Sequence, residues 1–324
     1  MKIRWAAWLV TFLLTAIGGP VCSRRSTPAL GPTFQGKSLD WWLSWWSTNR
    51  QGPRVSADGP RFQSADLSQC QPALSAIGPP AVPFVIKRLR EKPPLRLDRQ
   101  QAATYFGYIG SNAIPQLLQA MHDPDRAVRR ACSLALVPYA GNALSTDETA
   151  QVFGNALRDP DGEVILASLE ALDHIGPAAS NSVPDLIRVL NTALADSSKE
   201  DTWKWSATAF GTHILAAIGP AAASAAPVLT NLLQRPGPGD ELGAAVALWR
   251  VNSNTTETVP VLLKWSGNGY WYAFHTLGEM GPAAKAAVPQ LLVWATNAAG
   301  VQQTNASATL KRIYPQAAAK TGIK

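Results

Sequence analysis

One phrase recurs along this chain and constrains its fold more than any other feature: Ile-Gly-Pro, a few small residues, Val-Pro, then a pair of large aliphatic residues. It stands as IGPPAVPFVIKRL from Ile77, IGSNAIPQLLQAM from Ile109, IGPAASNSVPDLIRVL from Ile175, IGPAAASAAPVLTNLL from Ile218 and MGPAAKAAVPQLLVWA from Met280. Degenerate copies begin at Val137 (VPYAGNALSTDETAQVFGNAL) and Val251 (VNSNTTETVPVLLKW). Their spacing, about 30 to 43 residues, is that of a two-helix unit with loop insertions.

Each part of the phrase has a physical task. The glycine after Ile ends a helix, because the residue past a helix C-terminus adopts a left-handed conformation that glycine tolerates cheaply. The proline behind it stops the helix from continuing. The second proline (Pro83, Pro115, Pro184, Pro227, Pro260, Pro289) suits the first turn of the next helix, where its missing N–H costs little. Pairs such as Leu117-Leu118 and Leu291-Leu292 follow at helical spacing. In two units a turn comes next, in HDPDRAVRRACSLAL and RDPDGEVILASLEAL. There Asp123-Pro124-Asp125 and Asp159-Pro160-Asp161 make the turn and cap a second helix. Ala131, Leu134 and Ala135, and Ala167, Ala171, Leu172 and Ile175, form the apolar faces, with alanines that let helices approach closely. The fold class expected is all-α: an α-solenoid, a superhelix of antiparallel helix pairs.

These residues resemble HEAT repeats, and in particular the HEAT-like arrays of exported bacterial proteins. DPDRAVRRACSLAL, DPDGEVILASLEALDHIG and the IGPAA…VP junctions carry the likeness, which spans roughly residues 60 to 318. One departure stands out. The Val-Arg pair of the first unit becomes Val164-Ile165 in the next and is absent later, so no uniform Asp–Arg ladder is expected. The resemblance implies a curved solenoid whose second helices line a concave face, and binding through that face. It implies no chemistry, because a fold does not fix a function.

Of 324 residues, 46% are hydrophobic and 16% charged, enough apolar material for a core and too little charge for a disordered chain. Lys2 and Arg4, the apolar run Trp5 to Ile17, and the breakers Gly18, Gly19 and Pro20 read as an export signal over 1–23 or an N-terminal anchor. That run is too short to span a bilayer comfortably, and no other apolar run is expected to cross one. Cys22 invites lipidation, but Val21 before it is not the small residue a lipobox places there. Cys70 and Cys132, in different units, read as small buried hydrophobes. The expected organisation is a linker with a Trp-rich capping helix over 24–63, an array of about seven repeats over 64–318 and a frayed tail over 319–324. Ser38 should cap the helix SLDWWLSWW, and a final helix should run from Ala306. RPGPGD at 235–240 reads as a loop.

Motifs for catalysis are weak. Gly31 to Ser38 matches GxxxxGK[ST], which cradles phosphate with backbone N–H groups, Lys37 and Ser38. SRRSTPAL before it is no buried strand, so the segment reads as a helix-capping linker. His122, His174, His213 and His275 are scattered, without metal-ligand spacing. No catalytic residue, metal or cofactor is expected. A lyase or accessory enzyme, akin to the HEAT-like bilin lyases, is an alternative with no residue to carry it.

Two features point to binding. In the frame Ala-Leu-x-x-Ile-Gly, the residue before Ile lies off the apolar face: Tyr108, His174, Arg250 and Glu279. They should form a stripe along the second helices. The chain also holds 12 tryptophans. Trp41, Trp42, Trp45 and Trp46 cluster early, with Trp41 and Trp45 as binding candidates. Trp203, Trp205, Trp249, Trp265, Trp271 and Trp294 lie later, beside Tyr270 and Tyr272. Such rings pack cores, and they also stack on sugars or grip peptides at low entropy cost. The net charge of +7 comes from dispersed residues, with local clusters at Lys87 to Lys92 and at Arg126, Arg129 and Arg130. The expectation is a non-catalytic protein-binding scaffold of the envelope or secreted space. A polysaccharide is the alternative partner, nucleic acid is not expected, and a membrane enters only through an uncleaved N-terminal segment.

Overall fold

The computed structural model describes residues 32–39, 65–91, 99–142, 147–195 and 202–320. The expected export signal over 1–23, Trp41, Trp42, Trp45 and Trp46 fall outside these, as do the side chains of Cys70 and Trp205. The described chain is helical apart from one small hairpin. The helices are α1 (Ala65–Ile77), α2 (Val82–Arg90), α3 (Arg99–Ile109), α4 (Ile114–Ala120), α5 (Arg126–Leu136) and α6 (Asp147–Ala156). After them come α7 (Gly162–Ile175), α8 (Val183–Ala195), α9 (Thr202–Ile218), α10 (Ala226–Leu232) and α11 (Gly243–Asn252). The last are α12 (Thr255–Gly267), α13 (Trp271–Met280), α14 (Val288–Asn297), α15 (Gly300–Ile313) and α16 (Pro315–Lys320).

The odd-numbered helices stack in one layer: α1 on α3, α3 on α5, α5 on α7, α7 on α9, α9 on α11, and α13 on α15. The even-numbered ones form the other layer, each packed against the odd helix that follows it, from α2 on α3 to α14 on α15. The odd helices are the second helices of the repeat. A single core runs between the layers from Leu74 through Leu117, Leu136, Leu172, Leu186, Leu229 and Leu277 to Leu310, all buried. Each such side chain contributes roughly 1.5–3 kcal/mol on leaving water, so every interface adds a similar increment. Three buried hydroxyls are satisfied within their own helices, Ser168 donating to the Val164 carbonyl at 2.7 Å, Thr212 to Thr208 at 2.9 Å and Thr276 to Tyr272 at 2.9 Å, while buried Thr309 donates across to the Phe274 carbonyl at 3.2 Å.

The junction phrase folds as expected. Gly78, Gly110, Gly176, Gly219 and Gly281 all have positive φ. At Gly176 (φ +67°) a Cβ would meet nothing within 4 Å, so conformation and not space demands glycine there. Short 3₁₀ turns follow, such as Gly176–Ser182, and the next helix opens with its proline in the first turn at Pro83, Pro115, Pro184, Pro227 and Pro289. Pro260 departs from this. Asn254 caps α12 by accepting from the Glu257 N–H at 3.2 Å, so the helix starts early and Pro260 lies inside it. No glycine precedes this helix to end the last one. Ser253, in a left-handed conformation, closes α11 in its place.

Four other expectations change. Thr33–Phe34 and Lys37–Ser38 form an antiparallel hairpin, turning at Gln35 and Gly36 with positive φ, where an irregular linker was expected; Leu39, directly after Ser38, is helical, and the rest of SLDWWLSWW lies outside the described residues. The hairpin lies against α1, with Phe34 half-buried and Leu39 fully buried, and covers that end of the core. Asp240 is not in a loop: Pro238–Leu242 is a π turn that runs directly into α11. The final long helix begins at Gly300, and it breaks at Tyr314 because Pro315 disfavours a helical residue before it. Finally, the 27 residues Ser206–Leu232 are apolar and helical enough to cross a membrane by length and composition. They are α9, the Gly219-Pro220 turn and α10, more than half buried inside the array.

Candidate binding surface

Arginine–aspartate ties hold successive repeats in register. Asp125 and Asp161 cap α5 and α7 by accepting from the N–H groups of Ala127 (2.8 Å) and Glu163 (3.0 Å). The other oxygen of Asp161, and the turn residues Asp123 and Asp159, take arginines from the preceding unit. Arg90 pairs with Asp123, Arg129 grips Asp159 through two bonds of 2.6 and 3.0 Å, and Arg130 bonds Asp161 at 2.7 Å. Burial works against ionisation of Asp161, yet the Arg130 guanidinium and two backbone N–H groups hold its carboxyl below the usual range. Arg158 reaches Asp185 with bonds of 2.7 and 3.1 Å. Further on the pattern changes, as the missing Val-Arg pair implied. Buried Glu241 accepts from Lys264 Nζ (2.8 and 2.7 Å) and from Trp265 Nε1 (3.2 Å). Arg90, Arg129 and Arg130 of the two basic clusters are therefore inter-repeat fasteners, whereas Arg88 pairs with Glu91 at the end of its own helix.

On the odd-helix layer the expected stripe is partly assembled. Arg250 of α11 donates to Glu279 of α13 at 2.7 Å, so these two meet as the repeat frame required. His174 is exposed at the end of α7 and joins no pair among the described residues, its carbonyl lying against Gly141. Tyr108 of α3 stands apart. The row is completed by residues outside the frame. His213 Nδ1 of α9 meets Asp173 Oδ1 of α7 at 2.5 Å, Arg250 lies close enough to act on His213, and His275 Nδ1 approaches Glu279 at 3.7 Å. A readable signal was present: in α9 the frame position is Ala217, too short to reach, and His213 sits one turn earlier on the same face. The hydrogen bond to Asp173 raises the His213 pKa, against burial and the Arg250 charge.

Tyr108 forms one wall of a groove of 450 Å³ between α3 and α5. Ala103, Gly107 and Ala135 give it small surfaces, and Pro138 and Tyr139, from the turn after α5, close the far side. Ser75 of α1 donates to the Tyr108 carbonyl at 2.8 Å and steadies that wall. Gly107 is exposed and a Cβ there would meet nothing within 4 Å.

The later tryptophans divide between packing and exposure. Trp203 lies over Gly162, where a Cβ would come within 2.6 Å of its ring, and Trp265 is buried. Trp294 packs edge-on to Phe274 at 5.7 Å. Trp271 is 64% exposed, beside Tyr270 at 39%. Cys132 is buried among apolar atoms, which pushes its thiol up to about 12 and makes it an inert hydrophobe. No group of three or more His, Cys, Asp or Glu among the described residues could hold a metal ion.

The family model for HEAT repeats matches residues 82–173 and, overlapping, 114–211. No curated protein matches the chain. Among solved structures, an engineered protein is similar at a TM-score of 0.52 and 19% identity, over 84% of this chain and 77% of that one. The complex of CpcE and CpcF of phycocyanin lyase from Nostoc sp. PCC7120 is similar at 0.43 and 20% identity, over 81% and 91%. The chain therefore carries HEAT repeats over residues 82–211, and the same stacking of helix pairs continues to α15 as an all-α solenoid.

Proposed function

We propose that this protein is a non-catalytic scaffold that binds a protein partner through its odd-helix face, outside the cytoplasm. HEAT repeats are protein-interaction modules, which supports the general reading. The Tyr108–Tyr139 groove carries the specific one. Its walls are aromatic, its floor is small, and it opens on the helix layer that the HEAT resemblance implies to be the binding face. Tyrosines of this kind anchor interfaces because they bury much area at little entropy cost. The N-terminal basic and apolar segment, Lys2 to Ile17, supports export.

The test uses the full chain expressed with its native N-terminus. Fractionation with mass spectrometry should find it outside the cytoplasm; an intact cytoplasmic chain would remove the compartment. Cross-linking and co-purification from the envelope should then retain a partner with the wild type. Gly107→Leu should lose it, since a Cβ there has open space and the longer side chain occupies the groove that Gly107 lines. Equal retention by both proteins would overturn the reading.

A further inference from the structure

Along α13, Trp271, His275 and Glu279 recur at four-residue spacing, so they line one face over ~12 Å. Each is exposed. Trp271 meets Tyr272 and His275 only edge-on, at centroid distances of 5.7 and 5.9 Å and interplanar angles of 70° and 73°. Among the described residues no ring stacks on it, and most of the indole is exposed. Its setting is nonetheless fixed. Tyr272 and His275 lie parallel, 8° apart, at 6.5 Å, and the neighbouring Tyr270 is held edge-on at 4.9 Å by buried Trp265. At the other end of the column Glu279 binds Arg250, whose guanidinium also lies over the Trp249 ring at 5.8 Å. Arg250 Nε is buried and has no partner among the described residues.

The column thus joins an open aromatic platform to a set of hydrogen-bonding groups. Its charges are already matched, Arg250 with Glu279 and, in the adjoining row, His213 with Asp173. An anionic or cationic ligand gains little from charges that neutralise one another, whereas their donors and acceptors remain useful to a neutral one. A protein anchor usually fills a pocket; Trp271 stands out from the surface instead. What fits is a neutral molecule with a flat C–H face and many hydroxyls. We propose that the α13 column binds a neutral glycan chain. A pyranose ring stacks on Trp271, and hydroxyls of the next rings bond His275, Glu279 and Arg250. This site is separate from the Tyr108–Tyr139 groove and does not depend on it.

The test is titration of the full-length protein with maltohexaose, cellohexaose and chitohexaose, followed by calorimetry and tryptophan fluorescence. Heparin serves as an anionic probe. Saturable binding of at least one neutral hexasaccharide is expected, weakened about tenfold or more by Trp271→Ala and unchanged by Gly107→Leu. Because Trp271 lies outside the core, circular dichroism should show the variant folded. Three results would each overturn the proposal: no saturable binding by any neutral probe, binding by heparin alone, or binding indifferent to Trp271→Ala. Loss of a co-purified protein in Trp271→Ala, with no glycan bound by the wild type, would reassign the column to the protein interface and equally defeat it. Failure of the groove test would leave this result untouched.

Discussion

Arg129→Ala is the perturbation that most directly probes how the repeats are held together. The guanidinium donates to the Asp123 and Pro124 carbonyls of its own turn at 3.0 and 3.1 Å and to both oxygens of Asp159 in the next turn at 2.6 and 3.0 Å. Its side chain is 14% exposed and that of Asp159 only 9%. Exposed ion pairs contribute about 0–1 kcal/mol, whereas breaking a buried pair from one side costs about 3–5 kcal/mol. The exposures place this pair near the second regime. Asp159 keeps the Asp161 N–H at 2.9 Å after the change, which favours the lower end, about 3 kcal/mol. For a cooperative unit of this size that corresponds to roughly 6–12 °C in Tm. Urea unfolding of Arg129→Ala, Asp159→Ala and the double variant gives the coupling between them. Arg158→Ala is the internal comparison. Its bonds to Asp185 have similar lengths, 2.7 and 3.1 Å, but Arg158 is 66% exposed, so its loss should be smaller. A loss below about 1 kcal/mol for Arg129→Ala, or an equal loss for Arg158→Ala, would refute burial as the reason the tie matters.

Two glycines should respond in opposite directions. Gly107→Ala, in open space within α3, should stabilise by about 0.5–1 kcal/mol, whereas Gly176→Ala, at φ +67°, should destabilise by about 1–2 kcal/mol, both read by thermal unfolding. His213 should titrate above the ordinary histidine value. Its contribution to stability is therefore complete below that value and fades as pH rises through the raised one. In NMR titration, Asp173→Asn should bring the pKa down and Arg250→Ala should move it up; the opposite order would refute the row of charges. Cys132 in the native protein should resist a thiol reagent at pH 8 and react on unfolding, and fast native labelling would show that α5 opens locally.

Much of the array was readable because its grammar is local. Gly176 ends a helix through its own φ, Pro184 enters the next through its own missing N–H, and Asp161 caps α7 two residues from itself. Where a local signal was ambiguous the expectation failed. Pro260 resembled a helix start, but the stronger Asn254 cap lay upstream and the helix absorbed the proline. Gly31 to Ser38 resembled a phosphate loop and a helix-capping linker, and backbone pairing across Gln35 and Gly36 made Thr33 to Ser38 a hairpin. Of the stripe, Arg250 and Glu279 met, while the His213 and Asp173 contact escaped the repeat frame because Ala217 holds the frame position in α9.

By itself, then, the amino-acid sequence determined the helices, the turns between them, their pairing into repeats and the HEAT resemblance. These depend on interactions spanning a few residues, and recurrence made each one legible several times over. Only the tertiary structure decided which side chains meet across repeats: Arg129 with Asp159, 30 positions away, and His213 with Asp173, 40 positions away. Those meetings depend on how far each helix pair is rotated and offset on its neighbour. That offset is set by the summed packing of two layers joined by loops of unequal length, a quantity that no single stretch of sequence contains. The same packing buries Trp265 and leaves Trp271, one short turn further on, facing solvent.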